Sequence, residues 1–213
     1  MKLVVIGATA RTGLSLIQQA LDKSYEVTAI MRSTENFPIQ HEHLKAVEGN
    51  VLSVEFLTEY FQGCDAVLSC IGTRTYRTTI YSDSIKSITE AMKKAGVSRL
   101  LAITSWCTTD NPRDRGPFIL EWILKPTILR NALADMAIME TYLNDSCPDI
   151  NFTIVRPPEL SKRPSEGKPL MVEVDRLHVP GSTNIIPRED VARFMLTSLD
   201  TDEYDRKMVS IGV

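Results

Sequence analysis

The residues Gly7-Ala8-Thr9-Ala10-Arg11-Thr12-Gly13 stand directly between an apolar run, Leu3 to Ile6, and a segment of helical period. A dinucleotide pyrophosphate needs a tight strand-to-helix turn, close approach of the backbone and amide donors at a helix N-terminus. Gly7 and Gly13 can supply the turn and the helix–strand contact. Ala10 takes the place of the middle glycine of the usual fingerprint, and its methyl fits if the turn keeps negative φ. Position between strand and helix, more than the glycines themselves, carries this reading; the plain alternative is a tight turn with no ligand.

Three further strand ends carry polar chemistry. Met31-Arg32-Ser33 closes the second apolar run where an NAD-binding domain holds an acid for the ribose 2′-hydroxyl; an arginine there suits a 2′-phosphate instead, which favours NADPH over NADH. Arg11 can add a second positive charge or stack on adenine, and it reads equally as a solvated surface residue. Leu68-Ser69-Cys70-Ile71-Gly72-Thr73-Arg74 places small and polar residues at a carboxyl edge, the side on which open α/β sheets bind ligands. With only 10 glycines in the chain, one at each of two strand ends is pointed placement. Ala102-Ile103-Thr104-Ser105-Trp106-Cys107 puts Ser105 where it would face a nicotinamide. In a typical short-chain dehydrogenase such a serine works with a tyrosine whose lysine follows four residues later. None of the 6 tyrosines here has a lysine at that spacing, which disfavours ordinary alcohol dehydrogenase chemistry. Ser105 could also simply bond to backbone.

These motifs in this order resemble the atypical short-chain dehydrogenase/reductase superfamily, and within it the flavin reductase/biliverdin-IXβ reductase-like group, NmrA-like in its NAD(P)-binding part. The resemblance runs nearly end to end. It rests on the Gly7–Gly13 loop, Arg32, Gly49-Asn50-Val51, Gly72-Thr73-Arg74, Thr104-Ser105, Arg156-Pro157-Pro158 and Thr201-Asp202-Glu203-Tyr204-Asp205. It implies a monomeric NADPH-dependent reductase delivering hydride to flat, electron-poor acceptors such as flavins, quinone-like dyes or linear tetrapyrroles. Hydride addition to an extended π-system spreads the negative charge, so a proton can come from solvent and a Tyr/Lys pair is dispensable. Carried over residue by residue, it implies a catalytic role for Ser105. The implied cofactor contacts are Gly7, Thr9, Ala10, Arg11, Thr12, Gly13, Arg32, Asn50, Val51, Ile71, Gly72, Thr73, Arg74, Thr104, Ser105, Pro157, Pro158, Glu159 and Leu160, with no metal. Glu159 and Asn50 depart from the mammalian biliverdin-IXβ reductase, which has histidine and aspartate there. The Trp106–Asn131 region is also longer than in that enzyme. Asp135-Met136 and Met139-Glu140 resemble a helix pattern recurring in the group, although Glu140 reads equally as a solvated residue. The same superfamily includes NADP(H) sensors without activity, which also lack the Tyr/Lys pair; nucleotide-sugar epimerases usually keep it.

The elements that must position these residues are legible as alternation. Apolar, β-branched runs at Leu3–Ile6, Glu26–Met31, Leu44–Val47, Ala66–Cys70, Arg99–Thr104 and Asn151–Val155 are strands between helical segments. Leu14, Ile17 and Leu21 share one helical face; Ile85, Ile88 and Met92 share another; Ser53 can cap a short helix carrying Phe56, Leu57 and Tyr60. Residues 117–147 read as two helical pieces parted at Pro126, the second presenting Leu129, Leu133, Met136 and Met139 or Glu140. Beyond the strand at 151–155 the proline-rich texture predicts a loop-rich region contributing the substrate pocket. It holds a strand at Met171–Val174, a helix from about Arg188 bearing Val191, Phe194, Met195 and Leu199, and a last strand at Lys207–Ile211. The expected fold class is α/β: a Rossmann-type, doubly wound, mainly parallel sheet with helices on both faces, in one domain spanning 1–213.

Composition is consistent with that frame. With 213 residues, 43% of them hydrophobic and 24% charged, the chain can bury one sizeable core, and it offers no apolar run long enough for a bilayer span. A net charge of −3 provides no field for gripping nucleic acid or anionic lipid, so a small-molecule partner is expected. The four cysteines lack C-x-x-C or zinc spacing, and reduced thiols in a cytoplasmic protein fit them best. The apolar start at Met1–Ile6 is too short for a signal-peptide core and is expected to be the first strand.

Overall fold

A computed structural model describes residues 1–73, 78–109, 111, 114, 115, 118, 122, 123, 127 and 129–213. Strands β1 (Lys2–Ile6), β2 (Glu26–Met31), β3 (Leu44–Glu48), β4 (Ala66–Ser69), β5 (Arg99–Ile103) and β6 (Asn151–Arg156) are joined in parallel. β10 (Lys207–Gly212) adds parallel to β6, and β8 (Met171–Val174) closes the edge antiparallel to β10. The order is β3-β2-β1-β4-β5-β6-β10-β8, so the chain reverses its direction of growth between β1 and β4. That reversal opens a crevice outside the carboxyl ends of the two strands.

Helices α1 (Arg11–Asp22) and α5 (Arg188–Thr197) cover one face; α2 (Val54–Phe61), α3 (Ile80–Ala95) and α4 (Arg130–Ser146) cover the other. Along β1, Leu3 and Val5 pack under the first pair while Val4 and Ile6 pack under the second. Burial on both faces is why the central strands are continuously apolar instead of alternating.

The expected fold class holds, with local corrections. The buried stripe of α1 is Gly13, Leu16, Ile17, Ala20 and Leu21; Leu14 lies at its half-buried edge. In α2, which Ser53 caps by accepting the Phe56 N–H at 3.3 Å, Leu57 and Phe61 are buried while Phe56 and Tyr60 lie at the rim. Phe56 has its own purpose: its ring fills the space a side chain on Gly49 would need. α4 buries Leu133, Met139 and Leu143 together with Asp135 and Glu140, leaving Leu129 and Met136 half-buried. The expected break at Pro126 and most of the helical piece before it lie outside the described residues. The loop-rich region also holds a small parallel pair not anticipated, β7 (Glu159–Ser161) with β9 (Ile185–Pro187).

Candidate functional site: the crevice at the strand ends

The turn after β1 is set by two missing side chains. Gly7 has φ +75°, and a Cβ there would stand 2.6 Å from the Cys70 carbonyl oxygen across the β1/β4 crevice. At Gly13 a Cβ would stand 2.5 Å from the Gly7 carbonyl oxygen. These two glycines therefore let α1 seat directly on the strand turn. Ala10 has φ −67° and ψ 146°, the negative-φ condition under which its methyl is harmless, and its N–H donates to Gly7 O at 2.9 Å. No side chain caps α1 and no acid stands in its first turn, which leaves the positive end of the helix available to an anion. Thr12 is buried beneath the turn, while Thr9 and Arg11 are exposed on it.

The parallel sheet brings the other candidate residues to the same edge. Arg32 follows β2, is exposed, and has no carboxylate or hydrogen-bond partner among the described residues; the same is true of Arg11. Asn50 and Val51 follow β3. The Asn50 side-chain oxygen accepts the Leu52 N–H at 3.0 Å, and Val51 packs at the margin of the core. After β4, Ile71 and Thr73 are half-buried and Gly72 is exposed. Apart from its chain neighbours, a Cβ on Gly72 would meet no atom of the described residues within 4 Å. Arg74 lies outside the described residues.

Beyond β5, Ser105 is half-buried and its hydroxyl makes no hydrogen bond among the described residues, which leaves out a backbone-bonding role. The threonine hydroxyls on either side of it are committed. The Thr104 and Thr108 hydroxyls donate to Glu140 Oε1 and Oε2, each at 2.7 Å. Arg156, at the end of β6, donates from Nε to Oε1 at 3.0 Å and from Nη2 to Oε2 at 2.6 Å. Thr104 was expected among the cofactor contacts; its hydroxyl faces inward to this network. Glu140 and Arg156 are only 2% and 4% exposed, so Glu140 is no solvated helix residue. Pro157 and Pro158 are buried next to them. The Pro157 carbonyl accepts the Trp106 N–H at 3.0 Å, and the exposed Glu159 begins β7 with half-buried Leu160 behind it.

Two side chains have roles that their sequence positions do not announce, Asp135 being visible only as part of a helix pattern. Tyr81, in the first turn of α3, is buried and shares a hydrogen bond with the Thr73 backbone. Burial, with a further contribution from the Asp135 charge, pushes its phenol above the usual value, so it stays protonated and is a poor acid at neutral pH. Asp135 reaches across from α4 to accept the Tyr81 N–H at 2.9 Å and the Ser82 hydroxyl, capping α3 together with the Thr78 hydroxyl, which accepts the Ile80 N–H at 3.0 Å. Both Asp135 contacts join segments more than fifty positions apart, and no local spacing announces them.

Gly-rich turn, uncapped helix and switch-point crevice together define a dinucleotide-binding Rossmann domain. The chain belongs to the NAD(P)H-binding family of atypical short-chain dehydrogenase/reductases, which it matches over residues 7–202. It is similar to a solved Bacteroides thetaiotaomicron protein provisionally assigned as an epimerase, with 28% identity, 99% of this chain and 96% of that one covered, and a TM-score of 0.78. A Streptococcus pneumoniae protein provisionally assigned as an NADH-flavin reductase shares the fold at 20% identity, TM-score 0.81, covering 100% of this chain and 99% of that one. A Veillonella parvula short-chain dehydrogenase/reductase solved in complex with NADP does so at 16% identity, TM-score 0.82, covering 100% and 94%. Among curated proteins, YwnB of Bacillus subtilis, described as uncharacterized, is 26% identical over 103 residues, 48% of this chain; the match spans about half, 46%, of that relative.

Proposed function

We propose that this protein is an NADPH-dependent reductase that passes hydride to flat conjugated acceptors, flavins foremost, with quinone-like compounds and linear tetrapyrroles as related substrates, acting as a cytoplasmic monomer. The observation that carries the reading is the Ser105 hydroxyl at the crevice, without a hydrogen-bond partner among the described residues, while the Thr104 and Thr108 hydroxyls on either side of it are taken up by Glu140. A half-buried hydroxyl at the edge of the crevice is open to hydrogen-bond with a bound molecule.

The residues present fit the cofactor. The uncapped first turn of α1 and the Gly7–Gly13 backbone would hold its diphosphate, Arg32 with Arg11 its 2′-phosphate, and the open face of Gly72 its closest pass over the sheet. When bound, NADPH supplies the hydride. The chain's part is to orient: Ser105 donates to, or accepts from, the nicotinamide amide or the acceptor, and the buried Pro157–Pro158 shoulder excludes water on one side. No residue is required to give a proton to a carbonyl oxygen, because charge delocalised over a conjugated acceptor is quenched from solvent. Tyr81, held neutral and bound to the Thr73 backbone, supports the Gly72–Thr73 segment instead. The Bacteroides relative's epimerase assignment is not carried over, because no tyrosine here has the lysine that sugar epimerases use.

The test is NADPH oxidation by purified protein, with NADH as control, against FMN, riboflavin, a quinone-like dye and biliverdin. Turnover with NADPH in preference to NADH supports the reading and ranks the acceptors. Saturable NADPH binding with no turnover on any of them replaces it with a nucleotide sensor.

A further inference from the structure

Ser105 lies inside an irregular stretch, 104–108, that is neither strand nor helix and contains Cys107 at φ 58°. The hydroxyls of Thr104 and Thr108 converge on the single carboxylate of Glu140, pinning the stretch at both ends. The same carboxylate receives Arg156 through two nitrogens, and Arg156 immediately precedes Pro157–Pro158. Arg156 is itself anchored by Nη1 donating to the Arg176 carbonyl at 3.1 Å. Two hydroxyls and two guanidinium nitrogens together occupy the four lone-pair sites of this one carboxylate. A buried ion pair is also a poor device for stability alone, since apolar residues of similar volume often serve as well or better. Its return lies in fixing geometry.

We infer that Glu140 is a positioning residue: from α4 its buried carboxylate fixes the two strand ends that carry Ser105 and Pro157–Pro158, and so sets the nicotinamide half of the site independently of the adenosine half. The inference rests on the proposed NADPH site. The adenosine side is built from β1, α1 and the end of β2, and Gly7, Arg11 and Arg32 share no hydrogen bond or ion pair with the Glu140 network among the described residues. Loosening Glu140 therefore changes how the nicotinamide end is met and leaves the 2′-phosphate and adenosine contacts alone.

The experiment compares wild type, Glu140→Gln and Thr108→Val by calorimetric titration with NADPH and with adenosine 2′,5′-bisphosphate, which lacks the nicotinamide half. Glu140→Gln places an amide N–H2 where the carboxylate accepted two donors. The expected result is about a tenfold loss of NADPH affinity, the scale of one charge-assisted hydrogen bond. Fragment affinity should stay within about twofold, as for independent sites. Thr108→Val removes one donor, leaves the ion pair intact and shifts the NADPH-to-fragment ratio in the same direction by less; it decides the matter if Glu140→Gln fails to fold. Equal weakening of both ligands, or no change in either in a folded variant, overturns the inference while leaving the NADPH site standing. Failure of the wild-type protein to bind either ligand overturns the NADPH reading and the inference with it.

Discussion

Gly13 and Gly7 meet backbone to backbone: a methyl group on Gly13 would stand 2.5 Å from the Gly7 carbonyl oxygen. The first helix thus rests on the turn that delivers it, and the crevice depends on that contact. Gly13→Ala is expected to cost about 1–3 kcal/mol through overpacking and to abolish detectable NADPH binding. Gly72→Ala should leave the denaturation midpoint unchanged, since its Cβ meets nothing within 4 Å among the described residues beyond its chain neighbours, yet weaken NADPH. Urea melts and titrations of the two variants separate a glycine the fold needs from one the ligand needs.

Arg32 is an exposed guanidinium with no partner among the described residues, in a chain of net charge −3. Arg32→Ala should weaken NADPH roughly tenfold to a hundredfold, the worth of a charged hydrogen-bonding contact, with little effect on NADH. Dissociation constants for both nucleotides check this. Equal losses for the two would remove Arg32 from the 2′-phosphate.

Breaking the buried Glu140–Arg156 pair from one side strands a charge. Glu140→Ala is expected to lose about 3–5 kcal/mol of stability, read as a lowered urea midpoint, and Glu140→Gln to lose less. A loss below about 1 kcal/mol, the range of an exposed pair, would contradict the burial of this network.

Cys70 lies beside Gly7 at the crevice, and burial raises its thiol from the ordinary value of 9.0 to about 12. The folded chain keeps this proton at pH values where the unfolded chain loses it. The resulting stability is complete below about pH 9 and is lost as pH climbs toward about 12. The difference in unfolding free energy between wild type and Cys70→Ala should therefore shrink above pH 9, by at most about 1.4 kcal/mol per pH unit. A difference that stays constant from pH 7 to 10.5 would contradict the assignment.

The parallel core was legible because its signals are local: β-branched runs between helical periods, and a glycine on each side of the first turn. Glu26–Met31 and Met171–Val174 emerge with the bounds their apolar patterns suggest, and Ala10 takes the negative φ its methyl requires. What escaped is non-local. Asp135 and Glu140 show in the sequence only as parts of a helix pattern, Glu140 reading equally as a solvated residue, and the partners brought by β5, β6 and α3 show them to be internal. β7 and β9 are three residues each, too short for an alternation to register. Ser105 was placed by its position after a strand, but that its hydroxyl has no partner among the described residues, the feature on which the functional reading turns, is visible only in the fold.

The most direct test of the account is a single-turnover measurement of NADPH oxidation with FMN by wild type and Ser105→Ala. Hydride transfer is expected in the wild type and a fall on the order of a hundredfold in Ser105→Ala, the scale of a misplaced reactant, with NADPH affinity lowered by no more than about tenfold, the worth of one neutral hydrogen bond. Equal rates in the two proteins would contradict the role given to Ser105, and no transfer in the wild type despite bound NADPH would contradict the assignment as a flavin reductase.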